Sequence, residues 1–176
     1  MAEPSTAPAI RVRPAREGEI AEVAALWGEM YAHQRAHGMG LPLRDDAAEI
    51  WSRQLAGRLD SPVSVILVSE AVGPSGEPAP GGADLSGFLA AQTKRLPPYF
   101  AAEKPKVGFI SELFVRPAAR RHRVGRALVD AAFAWFARAD VGSIELHVLV
   151  HNAAARSFWR QVGFEDELVQ MRARRT

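Results

Sequence analysis

The chain has 176 residues, 48% of them hydrophobic and 24% charged, with 14 Gly, 12 Pro and no Cys. This composition suits one globular domain with a sizeable core. It excludes disulfide scaffolds, thiolate nucleophiles and Cys-based zinc sites, and no apolar run of about 18 residues exists to cross a membrane. The formal net charge of +2 is too small to argue for nucleic acid.

Met1–Pro8 (MAEPSTAP) lacks the basic start and apolar stretch of a secretory signal. It reads as a disordered lead-in to one domain over residues 9–176, and the expected location is cytoplasmic. Ile10–Arg13 alternates like a short strand. From Arg16 to about His37, Ile20, Val23, Ala24, Trp27, Met30 and Tyr31 recur at three and four, which predicts an amphipathic helix ended by Gly38–Pro42. A second helix is expected from Asp45 or Asp46 to Leu59, stopped by Asp60-Ser61-Pro62. Val63–Ala71 is a strand by its β-branched content. Gly73–Ala83 (GPSGEPAPGGA) cannot bury a face and reads as an exposed hairpin loop. Leu85–Lys94 returns as a strand, Leu96–Lys106 is a second long connection, and Val107–Val115 is a third core strand. A helix over Val124–Ala139, a strand over Ile144–Val150, a short helix over Asn152–Val162 and a last strand over Phe164–Ala173 complete the order. The pattern predicts a mixed α/β fold around a partly antiparallel sheet.

The segment with chemical character follows the third core strand. Arg116, Arg120, Arg121, Arg123 and Arg126 fall within eleven residues that hold no acid, and they open a helix. A helix start presents unpaired N–H groups and a positive dipole end, which suits an anion. Gly125 permits close backbone approach, as a pyrophosphate cradle requires. The run is neither a Walker loop nor G-x-G-x-x-G. A solvated basic helix start is the competing reading.

Leu113-Phe114-Val115-Arg116-Pro117, followed by Arg120-x-x-Arg123-x-Gly125-x-Ala127-Leu128, resembles the acyl-CoA-binding motif of the GCN5-related N-acetyltransferase (GNAT) family, usually Arg/Gln-x-x-Gly-x-Gly/Ala. Asn152-Ala153-Ala154-Ala155-Arg156-Ser157-Phe158-Trp159, then Gly163-Phe164, resembles the family's Asn-x-x-Ala…Phe-Tyr…Gly-Phe segment. The resemblance implies a single-domain GNAT fold, with a mostly antiparallel mixed sheet, a splayed pair of parallel strands and flanking helices. It implies an N-acetyltransferase that moves an acetyl group from acetyl-CoA to a primary amine in a ternary complex, without a metal.

Placed residue by residue, the family pattern has Leu113, Phe114 and Val115 lining the pantetheine arm. The backbone from Arg121 through Arg123, Val124 and Gly125 to Arg126 would hold the pyrophosphate. Arg120, Arg121 or Arg123 would meet the ribose phosphate. Asn152 would bond to pantetheine, Phe158 would pack near the coenzyme, and the Val115 amide would polarise the thioester carbonyl. Two residues depart from the pattern. Arg123 replaces the first motif glycine, and Trp159 stands where a tyrosine often protonates the departing thiolate, a task for which an indole N–H has no useful acidity.

An amine acceptor must be neutral to attack, so a general base is expected. Glu112, on the splayed strand, and His147, five residues before Asn152, are the candidates. A paired structural carboxylate and a satisfied imidazole lining the cleft are the alternatives. Trp27, Tyr31, His33 and His37, with Met39, lie where the family's acceptor groove is bordered. His33 and His37 at i and i+4 invite a metal, but Gln34 stands where a zincin pattern has Glu. Trp51, Phe133, Trp135 and Phe136 read as core, and Arg172, Arg174 and Arg175 as a solvated end. The acceptor is a small molecule or a peptide amine, and neither nucleic acid nor a membrane is expected as a partner. A homodimer is compatible with the family's habits. A coenzyme-binding module without turnover and a nucleic-acid-binding domain are the rival classes, the second weakened by the absence of aromatics interleaved with the arginines.

Overall fold

Four strands in chain order build most of the sheet, the inner ones carrying apolar side chains on both faces. They are β1 (Ala9–Pro14), β2 (Ser64–Val72), β3 (Leu85–Arg95) and β4 (Lys106–Val115). The computed structural model describes residues 9–72 and 85–173; the lead-in, the Gly73–Ala83 loop, Arg174 and Arg175 lie outside these residues. A short β5 (Ser143–Leu146) completes a five-stranded sheet of order β1-β2-β3-β4-β5. The first four strands pair antiparallel and β4 pairs with β5 in parallel. That is the mixed architecture read from the sequence.

Successive side chains of a strand point to opposite faces, and each face carries its own helices. Helices α1 (Ile20–Ala36) and α2 (Ala47–Leu59) cover one face. There Val23, Leu26, Met30, Trp51 and Leu55 pack on Ile66, Val68, Phe88 and Phe114. Helices α3 (Val124–Ala139) and α4 (Ala153–Gln161) cover the other. Leu128, Val129, Ala132 and Phe136 of α3 pack there on Leu67, Leu89, Ala91 and Ile110. The helix lies directly on β4, since a Cβ at Gly108 would come within 2.6 Å of the Phe136 ring.

Two sequence expectations need correction. The strand foreseen over Ile144–Val150 ends at Leu146, so His147 lies beyond it. Exposed and half-buried positions do alternate from Ser143 to Val148, but pairing stops where β4 and β5 diverge. The strand foreseen over Phe164–Ala173 is not formed. Phe164 packs on Phe133 and Trp159, and Asp166 pairs with Arg156 and Arg160 of α4. Leu168, Val169 and Met171 are each more than 80% exposed. Alternation supplies a strand's pattern but not a partner for its backbone. The four-residue β5 is a short edge for a ten-residue strand.

Candidate active site

The site begins where two parallel strands part. β4 and β5 are paired from Val107–Ser143 to Ile110–Leu146, whereas β4 stays paired to β3 as far as Val115–Gly87. Beyond Ile110 the β5 side of β4 is therefore open. The Arg116 N–H bonds across to the Ser86 carbonyl at 2.9 Å. Strand alternation then turns the backbone groups of Val115 and Leu113 into the opening. Arg120 Nε donates to the Val115 carbonyl at 3.0 Å, leaving the Val115 N–H as a donor in the fork.

The turn that follows is built to present N–H groups. Arg121 and Arg123 both adopt left-handed backbone, at φ 69° and 61°. Such alternation curls successive amides into an anion-binding concavity. Among the described residues, no backbone N–H from Arg121 to Arg126 bonds to a backbone carbonyl with normal geometry, the first such bond of α3 being Ala127 N–H to the Arg123 carbonyl. The first turn of α3 contains no acid. Buried Val124 anchors it. A Cβ at Gly125 would meet Phe158 at 3.5 Å and Val115 at 3.7 Å, so β4, α3 and α4 converge at that residue.

The side chains divide into committed and open ones. Arg126 is paired with Asp130 of its own helix at 2.9 Å. Arg120 lies 5.8 Å from the centre of the Phe114 ring, while Arg121 and Arg123 are exposed. Buried Asn152 caps α4 by accepting the Ala155 N–H at 3.1 Å, so its amide nitrogen is left to donate. A helix N-terminus, an amide concavity and uncommitted guanidinium groups together fit a bound phosphate group.

Glu112 is brought to this opening by a feature hidden in the sequence. The β3–β4 register passes from Ala91–Ile110 to Ala90–Glu112, so Ser111 is one residue too many. A bulge of this kind re-aims the side chains around it. Ile110 consequently packs on the α3 face, while Phe114 joins the α1/α2 face. The Ser111 hydroxyl lies within hydrogen-bond reach of both Glu112 Oε2 and, at 3.2 Å, the Ala90 carbonyl, and its single proton serves one or the other. Arg58, in the last turn of α2, approaches Glu112 Oε2 at 3.8 Å and donates to Ser111 Oγ at 3.3 Å. Burial raises the Glu112 carboxyl above its ordinary range, against the opposing pull of Ser111, Arg58 and the Trp51 indole.

The other candidates sit around this centre. His147 is exposed, one residue past the last β4–β5 pair, with its ring edge-on to Phe109 at 5.2 Å. Trp27 stacks on Trp51 at 5.1 Å and packs against the α1/α2 core. The Tyr31 hydroxyl donates to the Leu41 carbonyl, fastening the loop after α1. His33 and His37 lie edge to face at 4.6 Å. Burial, then nearby Arg120 and His37, lower the His33 pKa, which couples this end of α1 electrostatically to the phosphate-type cradle. A Cβ at Gly38 would come within 3.3 Å of the His151 ring, so the α1–α2 loop closes over the segment leaving β5.

Comparisons with known proteins point to one family. The acetyltransferase (GNAT) family model matches residues 78–164, a span that includes β3, β4, α3, β5 and α4. The uncharacterized N-acetyltransferase YhfO of Bacillus subtilis is 24% identical over 160 residues, covering 90% of this chain and 91% of that one. The family model and this relative together support a place for this chain in the GNAT family. The uncharacterized N-acetyltransferase MJ1207 of Methanocaldococcus jannaschii is 32% identical over 95 residues, 49% of this chain; the match spans 42% of that relative's length. Two solved structures share the fold. A predicted acetyltransferase from Clostridium acetobutylicum with acetyl-CoA has a TM-score of 0.72 at 14% identity, covering 94% of this chain and 96% of that one. The aminoglycoside N-acetyltransferase AAC(6')-Iy in complex with CoA has a TM-score of 0.69 at 18% identity, covering 99% and 100%.

Against the GNAT pattern the two departures have distinct structural outcomes. Arg123 adopts the positive φ that a glycine would take more easily, so its backbone holds the turn at a local cost of about 1–2 kcal/mol. Trp159 is buried, edge-on to both Phe158 and Phe164, and acts as core. Sequence reading missed Arg58 and Ser111. Neither carries a signal of its own, because it is the bulge that makes them neighbours of Glu112.

Proposed function

We propose that this protein transfers an acetyl group from acetyl-CoA to a primary amine directly, within a ternary complex. The observation that carries the reading is the co-location, along β4, of a largely buried carboxylate, an open strand edge and an amide cradle. Leu113, Phe114 and Val115 bind the pantetheine arm along the fork, and the amides from Arg121 to Arg126 hold the pyrophosphate. Asn152 donates to the arm and Phe158 packs beside it. Arg120, Arg121 and Arg123 offer charge to the ribose phosphate.

Glu112 accepts a proton from the ammonium form of the acceptor. The neutral nitrogen then attacks the thioester carbonyl carbon, with the Val115 N–H stabilising negative charge on the carbonyl oxygen. The C–N bond forms as the C–S bond breaks, the nitrogen releases its remaining excess proton to solvent, and solvent protonates the departing thiolate, since Trp159 is committed to the core. His147, at the mouth of the fork, is the alternative base. Trp27, Tyr31, His33 and His37 border the acceptor side. An amine-bearing small molecule is favoured as acceptor, supported by the aminoglycoside N-acetyltransferase among the structural neighbours.

Calorimetric titration of acetyl-CoA into wild-type protein and Gly125→Trp, followed by an amine screen for CoA release, tests this reading. Micromolar binding lost in the variant, with amine-dependent CoA release by the wild type, is the expected outcome. Binding without release under any amine would establish a coenzyme-binding module instead. No binding would remove the cradle.

A further inference from the structure

We propose that Arg58 is a positioning residue for Glu112, its guanidinium and the Ser111 hydroxyl fixing the carboxylate at the β4 bulge from the α2 side. The inference rests on Glu112 as the base, and it assigns a task to a residue outside both sequence motifs.

The geometry differs from that of an arginine serving stability. A structural Arg–carboxylate pair closes to about 2.7–2.9 Å, often with two parallel bonds. Arg13 treats Glu70 in that way, with Nη2 at 2.7 Å from Oε2 and Nε at 3.1 Å from Oε1. Arg58 stops 3.8 Å from Glu112 Oε2 and spends a hydrogen bond on Ser111 instead. Its Nε is, among the described residues, the one buried side-chain nitrogen or oxygen without a partner. Native structures keep few such orphans. Arg58 therefore reaches Glu112 as a charge at a fixed distance and through a shared hydroxyl, not as a closed ion pair.

That distance suits a base. A carboxylate in full contact with guanidinium groups loses its basicity, as Glu70 does, with its pKa held down at about 2. A buried carboxylate with no cation nearby would remain protonated and could accept nothing. Arg58 is the one charged group acting on Glu112 among the described residues. Ser111, on the same strand, and Trp51, on α2, act through neutral groups, Ala90 of β3 sits opposite, and α1 meets this face through Val23, Leu26, Trp27 and Met30. Ser111 and Arg58 both engage Oε2, which leaves Oε1 outside the grip of these two.

The test reads the carboxylate itself. Carbon-13 carboxyl resonances of the wild type are recorded against pH, Glu112 being assigned by its absence in Glu112→Gln. In Arg58→Met the acid dissociation constant of Glu112 is expected to fall on the order of tenfold, and Arg58→Lys is expected to restore at least half of that change. The acid limb of the acetyl-transfer rate moves to higher pH by the same amount. An unmoved Glu112 titration in folded Arg58→Met overturns the proposal. If Arg58→Met does not fold, Ser111→Ala carries the same test: a several-fold fall supports the assignment and an unchanged titration overturns it. The spectrum needs no turnover. Coupling without acetyl transfer would therefore indict the reading of function, and acetyl transfer without coupling would indict Arg58.

Discussion

Glu70 and Glu112 both face arginines from within the sheet, one at the β1–β2 edge and one at the β4–β5 fork. The Glu70 side chain is 1% exposed, and Arg11 and Arg13 close on both of its oxygens. Arg13 is in turn held by Glu19, whose Oε2 accepts the Arg16 N–H at the turn leading into α1. Every charge at this edge is matched at contact distance. At the fork, by contrast, Glu112 has one arginine standing back at 3.8 Å. Arg58 leaves a nitrogen unpaired, Arg123 holds a left-handed backbone, and a row of amides has no carbonyl partner. The edge is satisfied and the fork is under-satisfied, and the second condition is how sites that bind and react are built.

The largest stability effect is expected at the edge. Glu70→Gln leaves Arg11 and most of Arg13 without their carboxylate and should cost about 2–4 kcal/mol at pH 7 by chemical denaturation. Acetyl-CoA binding should stay within twofold of wild type. The sign with pH follows from the depressed pKa. The Glu70 contribution is complete above the ordinary glutamate range and fades as pH falls toward about 2. The gap between variant and wild type should therefore narrow in acid, and a gap independent of pH would break the contrast.

A smaller effect of opposite sign is expected at the fork. Arg123→Gly removes a side chain from a residue at φ 61° and should stabilise the fold by about 1 kcal/mol. Loss of one phosphate-facing charge should weaken acetyl-CoA binding several-fold in the calorimeter, more at low salt than at high salt. Equal destabilisation by Arg123→Gly and Glu70→Gln would mean that the two regions do not differ. The least is expected of Asp166→Asn, whose exposed pairs with Arg156 and Arg160 should leave the thermal unfolding midpoint close to that of the wild type.

Much of this architecture was legible along the chain. The helix over Val124–Ala139 is read to the residue, and the apolar runs around Val65–Val68 and Phe88–Ala91 mark buried strands because periodicity and β-branching are local properties. The arginine-rich turn stands out by its composition, and Asn152 only by its likeness to the family's Asn-x-x-Ala segment. What failed depends on partners. Phe164–Ala173 alternates without an edge to bind, and His147 falls beyond β5 because the strands part. The bulge at Ser111 was invisible, since one extra residue leaves no mark on the apolar pattern until the partner strand is known. Arg58, 54 residues before Glu112, becomes its neighbour only through that bulge and the packing of α2.

The most direct test of the central claim sets the stability of Glu112→Gln beside its turnover. Burial raises the folded-state pKa of Glu112, so its carboxylate opposes folding at neutral pH, and that opposition disappears once pH falls below the unfolded value. Glu112→Gln should therefore be at least as stable as wild type at pH 7, with any advantage vanishing in acid, while acetyl transfer falls roughly 10²–10³-fold. A variant less stable than wild type at pH 7 with undiminished turnover would make Glu112 a structural carboxylate like Glu70, and would contradict the account.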